Sequence, residues 1–276
     1  MGRSGQAGTS CDSSDEKGSS PLQRLALFRA ALQRSADNDE RGAVAKLISA
    51  SKRSGSAGGM PVQDLVAMAR LTQVALEQLS GSTRPLRIVE TGFATGYSSR
   101  AMLAAACDSL KSAHVTSIDP YQSTAWGSGG LKNVAAFLKA WEPSCPNVLR
   151  HSHAALPSGT ALSDIQRAGE CVDLALVDGG HKFDEVMLDI YYLVRLLRQG
   201  GVLVIHDTLM PSTASALSFL QRNLPFKPIR LTATYAAYVK VRADERLWNF
   251  HAPFNGNYSG TSGKRHIFIR AAEEIS

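Results

Sequence analysis

Five short stretches concentrate residue types able to grip a polar ligand or move a proton. The first is Glu90-Thr-Gly92-Phe-Ala-Thr95-Gly96-Tyr-Ser98-Ser99. Its two glycines let the backbone turn sharply against a ligand, and its serine hydroxyls stand where a helix would begin. It departs from the dinucleotide fingerprint, which needs glycine where Ala94 stands, and the lysine-bearing phosphate loop is absent from the chain. A carboxylate at Glu90 would repel a pyrophosphate and would suit a ligand carrying an amino group and a sulfonium.

The second stretch, Asp119-Pro120-Tyr121, offers an acid that can accept hydrogen bonds from both hydroxyls of a ribose. The third, His151-Ser152-His153, could reach an adenine edge. The last two are Asp178-Gly-Gly-His181 and His206-Asp207-Thr208. Two carboxylates on neighbouring strand ends can share a hard divalent cation, with waters and a substrate oxygen as further ligands. Histidine, which ordinarily titrates near neutrality, is a proton acceptor suited to a hydroxyl. Each stretch also has a plainer meaning: a tight turn at Gly92, helix caps at Asp119, Asp178 and Asp207, a solvated loop at His151–His153. For the metal the two meanings weigh evenly.

These residues need a scaffold that brings them to one place, and the hydrophobic pattern supplies it. Short apolar runs at 86–89, 114–118, 147–150, 172–177 and 202–205 alternate with helical stretches at 97–110, 131–141, 161–168, 183–197 and 212–223. Such alternation predicts βαβ units on a parallel sheet covered on both faces. Two further runs, 229–231 and 237–241, are close enough to form a terminal antiparallel pair. The expected fold is α/β: a Rossmann-like, doubly wound, mostly parallel seven-stranded sheet with N-terminal helices. In such sheets ligands bind at the carboxyl ends of the strands, where all five stretches fall.

The polar first 21 residues read as a disordered tail. Helical spacing from Leu22, a weaker helix at 38–49, a loop or hinge at Ser49–Gly59 and a stronger helix from Pro61, closed by Gly81, describe a helical lid over 22–81. Residues 82–276 then form the catalytic domain with a C-terminal extension. Cysteines at 11, 107, 145 and 171 show neither CxxC nor metal-ligand spacing, which argues against a zinc module and a disulfide framework and fits a reducing compartment. No signal sequence, membrane span or complete myristoylation motif is readable, so cytoplasm is the expected location.

Glu90-x-Gly92-x-x-x-Gly96, Asp119-Pro120, Asp178-Gly-Gly-His181 and Gly200-Gly-Val-Leu-Val-Ile-His206-Asp207, in that order, resemble class I S-adenosylmethionine-dependent methyltransferases. They are most similar to the small-molecule O-methyltransferase group with a DG-x-H element. The resemblance spans residues 86–241. It implies that Glu90, Gly92 and Gly96 contact the methionine part of S-adenosyl-L-methionine, Asp119 the ribose, and Ser152 and His153 the adenine region, with Thr95, Ser98 and Asp178 also binding the cofactor. His181 and Asp178 are the implied catalytic residues. Metal-dependent catechol-type members carry a lysine where His181 stands and an asparagine where Thr208 stands. Asp178 and Asp207 are therefore the metal ligands expected here, and whether Mg2+ or another divalent cation binds stays open.

Two other functions compete. The net charge of +6 fits a nucleic-acid methyltransferase, but Asp178-Gly-Gly-His181 stands where base methyltransferases carry an Asn/Asp-Pro-Pro-aromatic element, and the positive charge is scattered. A nucleotide-cofactor oxidoreductase, or a binding module without catalysis, would share the fold. Ala94 weighs against the former and the retained acids against the latter. The expected partner is a small-molecule acceptor rather than nucleic acid or a membrane, and a homodimer stays open.

Overall fold

The computed structural model describes residues 11, 19–33, 42–54, 60–79, 84–146 and 148–254. Three helices come first: α1 (Pro21–Gln33), α2 (Gly42–Ser54) and α3 (Val62–Gln78). The alternating part follows as β1 (Leu86–Thr91), α4 (Tyr97–Asp108), β2 (Ala113–Ile118), α5 (Gly129–Trp141), β3 (Leu149–Ala154), α6 (Ser158–Arg167), β4 (Val172–Val177), α7 (Phe183–Leu196), β5 (Leu197–His206) and α8 (Pro211–Asn223). The hairpin β6 (Phe226–Leu231) and β7 (Tyr235–Lys240) closes the fold. The seven strands lie in the order β3-β2-β1-β4-β5-β7-β6. β1 to β5 pair in parallel and β7 is antiparallel to both its neighbours, as the pattern predicts.

The continuous apolar runs of the central strands follow from burial on both faces. Leu174 and Leu176 of β4 join Val202 and Val204 of β5 in one core, under helices α1 to α5. Ala175, Val177, Leu203 and Ile205, the alternate residues, join the other core under α6 to α8. With a side-chain period of two, both sets must be apolar. Asp173, the polar exception in β4, is met by a bidentate Arg84 at 2.8 and 2.9 Å and by the Arg87 amide at 2.9 Å.

The expected lid meets a packed layer. Phe28 of α1 and Leu65, Met68 and Leu71 of α3, each no more than 1% exposed, belong to the same core as the sheet residues. α2 is anchored by Asp108 of α4, whose carboxylate accepts from the Ala43 and Val44 amides at 2.6 and 3.0 Å. α2 also continues through Ser54, so the first half of the expected hinge is helix; 55–59 lie outside the described residues. Helices that share a core with the sheet cannot swing without exposing it. The expected tail, apart from Cys11, Ser19, Ser20 and Pro21 (which opens α1), and the C-terminal stretch 255–276 also lie outside the described residues.

The cysteines require a correction. Cys11 pairs with Cys171 and Cys107 with Cys145, at Cα separations of 5.5 and 5.4 Å. The partners stand 160 and 38 residues apart in sequence, so spacing alone could not reveal them. The cysteine argument for a reducing compartment falls with that reading. No helix among the described residues is long and apolar enough to cross a membrane.

If α3 is core rather than lid, Leu71→Ala should cost about 2–5 kcal/mol of unfolding free energy. Urea denaturation followed by circular dichroism measures this; a loss under about 1 kcal/mol would restore the detachable lid.

Candidate active site

The turn after β1 has a conformation that few residues accept. Gly92, Ala94 and Gly96 all take positive φ, at 83°, 42° and 73°. A Cβ on Gly92 would lie 1.9 Å from the Asp178 carbonyl oxygen, so β1 and β4 end too close together for any side chain there. Ala94 adopts the left-handed conformation despite its Cβ, at the position where the dinucleotide fingerprint has glycine.

Asp119 holds this turn from the end of β2. Its Oδ2 accepts from the Phe93 and Ala94 amides at 3.3 and 2.9 Å and from Gln122 Nε2 at 3.0 Å; its Oδ1 accepts from the Tyr121 amide at 2.8 Å. Gln122 also donates to the Ala94 carbonyl at 2.7 Å, and Asn133 Nδ2 to that of Thr95 at 3.0 Å. His153 Nε2 donates to the Asp119 carbonyl at 2.9 Å. The Phe93 ring stands 5.1 and 5.8 Å from the rings of His151 and His153. Ser152, one residue away on β3, points to the opposite face, where it meets His114 Nε2 at 2.7 Å. The structure therefore joins His153 to Asp119 and separates Ser152 from both.

Glu90 lies wholly inside the protein. Its carboxylate accepts from Ser98 and Ser117 at 2.6 Å each, and from Ser99. Ser117 in turn meets His151 Nε2 at 2.8 Å. Burial, followed by the imidazoles of His153 and His114, pushes His151 down to about 4. Glu90 and Ser98 thus face each other, shaping the turn from behind.

The second half of the site forms where β4 and β5 end side by side. His181 Nε2 stands 2.7 Å from Asp207 Oδ2, and both side chains are partly open to solvent. Asp207 takes a positive φ of 54° to reach this place. The ligand atoms of Asp178, His181 and Asp207 all lie within 4.8 Å of one another. Thr208 contributes nothing to the group: its hydroxyl donates to the Thr232 carbonyl at 3.0 Å and its side chain is buried. His181 fills the gap that Thr208 leaves.

Behind this group sits His206, which the last of the five stretches contains but to which the sequence assigns no role. His206 is buried, with Nδ1 at 3.1 Å from Asp178 Oδ1 and 3.3 Å from Asp207 Oδ1. Its Nε2 donates to Asp64 of α3 at 3.2 Å. Burial by itself would lower the pKa of this imidazole. The carboxylates of Asp178 and Asp64, with the charge of Asp207, prevail and push it up to about 10. Asp64 reads in the sequence only as an acid in the first turn of a helix, a place acids favour for the helix dipole alone.

A family model described as a methyltransferase domain matches residues 89–208, from the end of β1 to the residue after Asp207. Two crystal structures of CalS11, one titled as a TDP-rhamnose 3′-O-methyltransferase of calicheamicin biosynthesis, share its fold at TM-scores of 0.52 and 0.50. Both are 14% identical and cover 79% of this chain, and 93% and 91% of their own. No curated protein matches the chain. The matched residues thus include every clustered acid and histidine described above except Asp64.

Burial lifts the Glu90 carboxyl from 4.5 to about 7; the three hydroxyl donors oppose this and the charge of Asp178 adds to it. Between those values the native state keeps a proton that the unfolded chain has released. Stability therefore falls as pH rises through that window, and a cost of about 3 kcal/mol is complete above it. Glu90→Gln should flatten the dependence of unfolding free energy on pH between about 5 and 8, measured in urea. A slope equal to that of the unmodified protein would place the proton elsewhere.

Proposed function

We propose that this methyltransferase acts on a hydroxyl of a small molecule, with His181 as general base. The observation that carries the reading is the His181–Asp207 pair at 2.7 Å, on the partly open rim of the strand ends. With Nε2–H donated to the carboxylate, the ring presents Nδ1 outward as proton acceptor, and Asp207 fixes that tautomer.

The glycine turn is flanked by the acids Glu90, Asp119 and Asp178, a donor set that fits a ligand bearing a sulfonium and an ammonium better than one bearing phosphates. S-adenosyl-L-methionine, when bound, supplies a methyl group that an acceptor oxygen can take as the carbon–sulfur bond breaks and its electrons stay on sulfur. The backbone of Gly92, Thr95 and Gly96 would cradle the amino-acid end, with Glu90 and Ser98 holding the turn in shape. Asp119 would exchange its loop amides for the ribose hydroxyls, and His153 would lie beside the adenine. Asp178 would face the reacting end. Ser152, on the far face of β3, supports the strand rather than the ligand. Holding oxygen and methyl in line is worth up to about 7–11 kcal/mol of barrier, and removal of the hydroxyl proton by His181 adds about 10²–10⁴-fold.

A second reading has a specific basis. The oxygen and nitrogen atoms of Asp178, His181 and Asp207 are near enough to hold one divalent cation, Mg2+ among them, which would polarise the acceptor hydroxyl and make His181 a ligand.

Calorimetric titration with S-adenosylhomocysteine should show binding that weakens at least about tenfold in Asp119→Ala, the cost of one charge-assisted contact. Heats equal to buffer for the unmodified protein would sink the cofactor assignment. With radiolabelled methyl donor and a panel of hydroxylated small molecules, His181→Ala should lower kcat by about 10²–10⁴-fold and leave S-adenosylhomocysteine affinity unchanged. Activity lost to EDTA and restored by Mg2+ would favour the cation over the base.

A further inference from the structure

We propose that Asp64, in the first turn of α3, is a positioning residue for the active site that acts through the His206 ring on Asp178 and Asp207. The proposal rests on the methyltransferase reading above, and it reaches outside the matched domain to a helix of the N-terminal layer.

Asp64 is 1% exposed and His206 6%. An acid so deeply buried is costly unless it is paired, and an apolar residue would pack α3 against the sheet without that cost. Asp64 Oδ2 has the His206 ring at 3.2 Å, while Oδ1 has no hydrogen-bond partner among the described residues. A carboxylate kept under these terms is kept for the ring. Because Nε2 is tied to Asp64, Nδ1 must point the other way, at Asp178 Oδ1 and Asp207 Oδ1. Tyr235, the register partner of His206 on β7, flanks the same residue from the neighbouring strand.

The Asp207 carboxylate is thereby held from both sides: Oδ1 faces His206 at 3.3 Å and Oδ2 meets His181 at 2.7 Å. The His181 contact is a hydrogen bond, and the His206 contact is an ion pair, Nδ1 having no hydrogen-bond partner among the described residues. Asp64 is buried behind the ring and meets the site through His206. It decides how Asp207 presents itself to His181, in the way that partners behind a ligating or catalytic group orient it.

The test uses the full chain with Asp64→Asn, His206→Gln and the double variant. Asp64→Asn should lower kcat about 10- to 100-fold with the acceptor found in the panel above, leaving KM for S-adenosylmethionine unchanged. The double variant should lose no more than His206→Gln alone, because both act through one ring. Normal kcat in Asp64→Asn, or losses that multiply in the double variant, would overturn the proposal. Should Asp64→Asn not fold, the double variant replaces the buried pair by two neutral amides and is read against His206→Gln in the same way. A second measurement needs no turnover. In the free protein with ring-labelled histidine, the Nε2–H resonance of His206, assigned among seven histidines by its loss in His206→Gln, should move upfield in Asp64→Asn as the acceptor loses its charge. An unmoved resonance would also overturn the proposal. Absence of methyl transfer by the unmodified protein would count against the functional reading and leave this spectroscopic result to stand by itself.

Discussion

Strands buried on both faces can carry polar side chains freely only where they end, and this constraint governs the molecule. β4 and β5 are apolar over Leu174–Val177 and Val202–Ile205, and the register makes β1, β4 and β5 end together: Thr91 pairs with Val177, and Val177 with Ile205. β2 ends in the same row, with Ile118 opposite Thr91. The next residue of each strand is therefore Gly92, Asp119, Asp178 or His206, and four elements far apart in sequence deliver their polar groups to one line. The closeness of that line excludes a Cβ at Gly92.

Three polar groups that enter the interior behind that row draw partners of opposite character. Glu90 draws three serine hydroxyls, Asp173 a bidentate arginine, and His206 three carboxylates. Burial disfavours the charged form of both the first and the last, and their neighbours decide the outcome. Glu90, surrounded by neutral donors, is pushed toward its uncharged form, whereas His206, surrounded by acids, is driven toward its cationic form. One site thus pairs a carboxyl raised to about 7 at a helix start with an imidazole raised to about 10 beside Asp178 and Asp207.

How much of this was legible differs from residue to residue. The seven strands, their order of appearance and the terminal hairpin follow from alternating apolar runs, because a two-sided sheet leaves a strong local mark. The acids and glycines after each strand were legible for the same reason: the marks lie within a few residues of each strand end. That Ser152 and His153 face opposite ways was not legible, because β3 extends through Ala154 and turns neighbours to opposite faces. The N-terminal helices read as a lid since amphipathic helices look alike whether they cover a pocket or a sheet. The disulfide partners and the Asp64–His206 pair were invisible, being contacts between residues 38, 160 and 142 positions apart.

The sequence by itself determined the α/β architecture, the glycine turn and the chemical identity of the groups at the strand ends, because these depend on patterns a few residues long. Only the tertiary structure decided which of those groups meet. It turned Thr208 away toward the hairpin and brought His181 to Asp207 in its place. It also set an acid from α3 behind the whole site. Such pairings depend on the packing of layers, on which side of a strand a residue falls and on how closely two strand ends approach, and no local pattern encodes them.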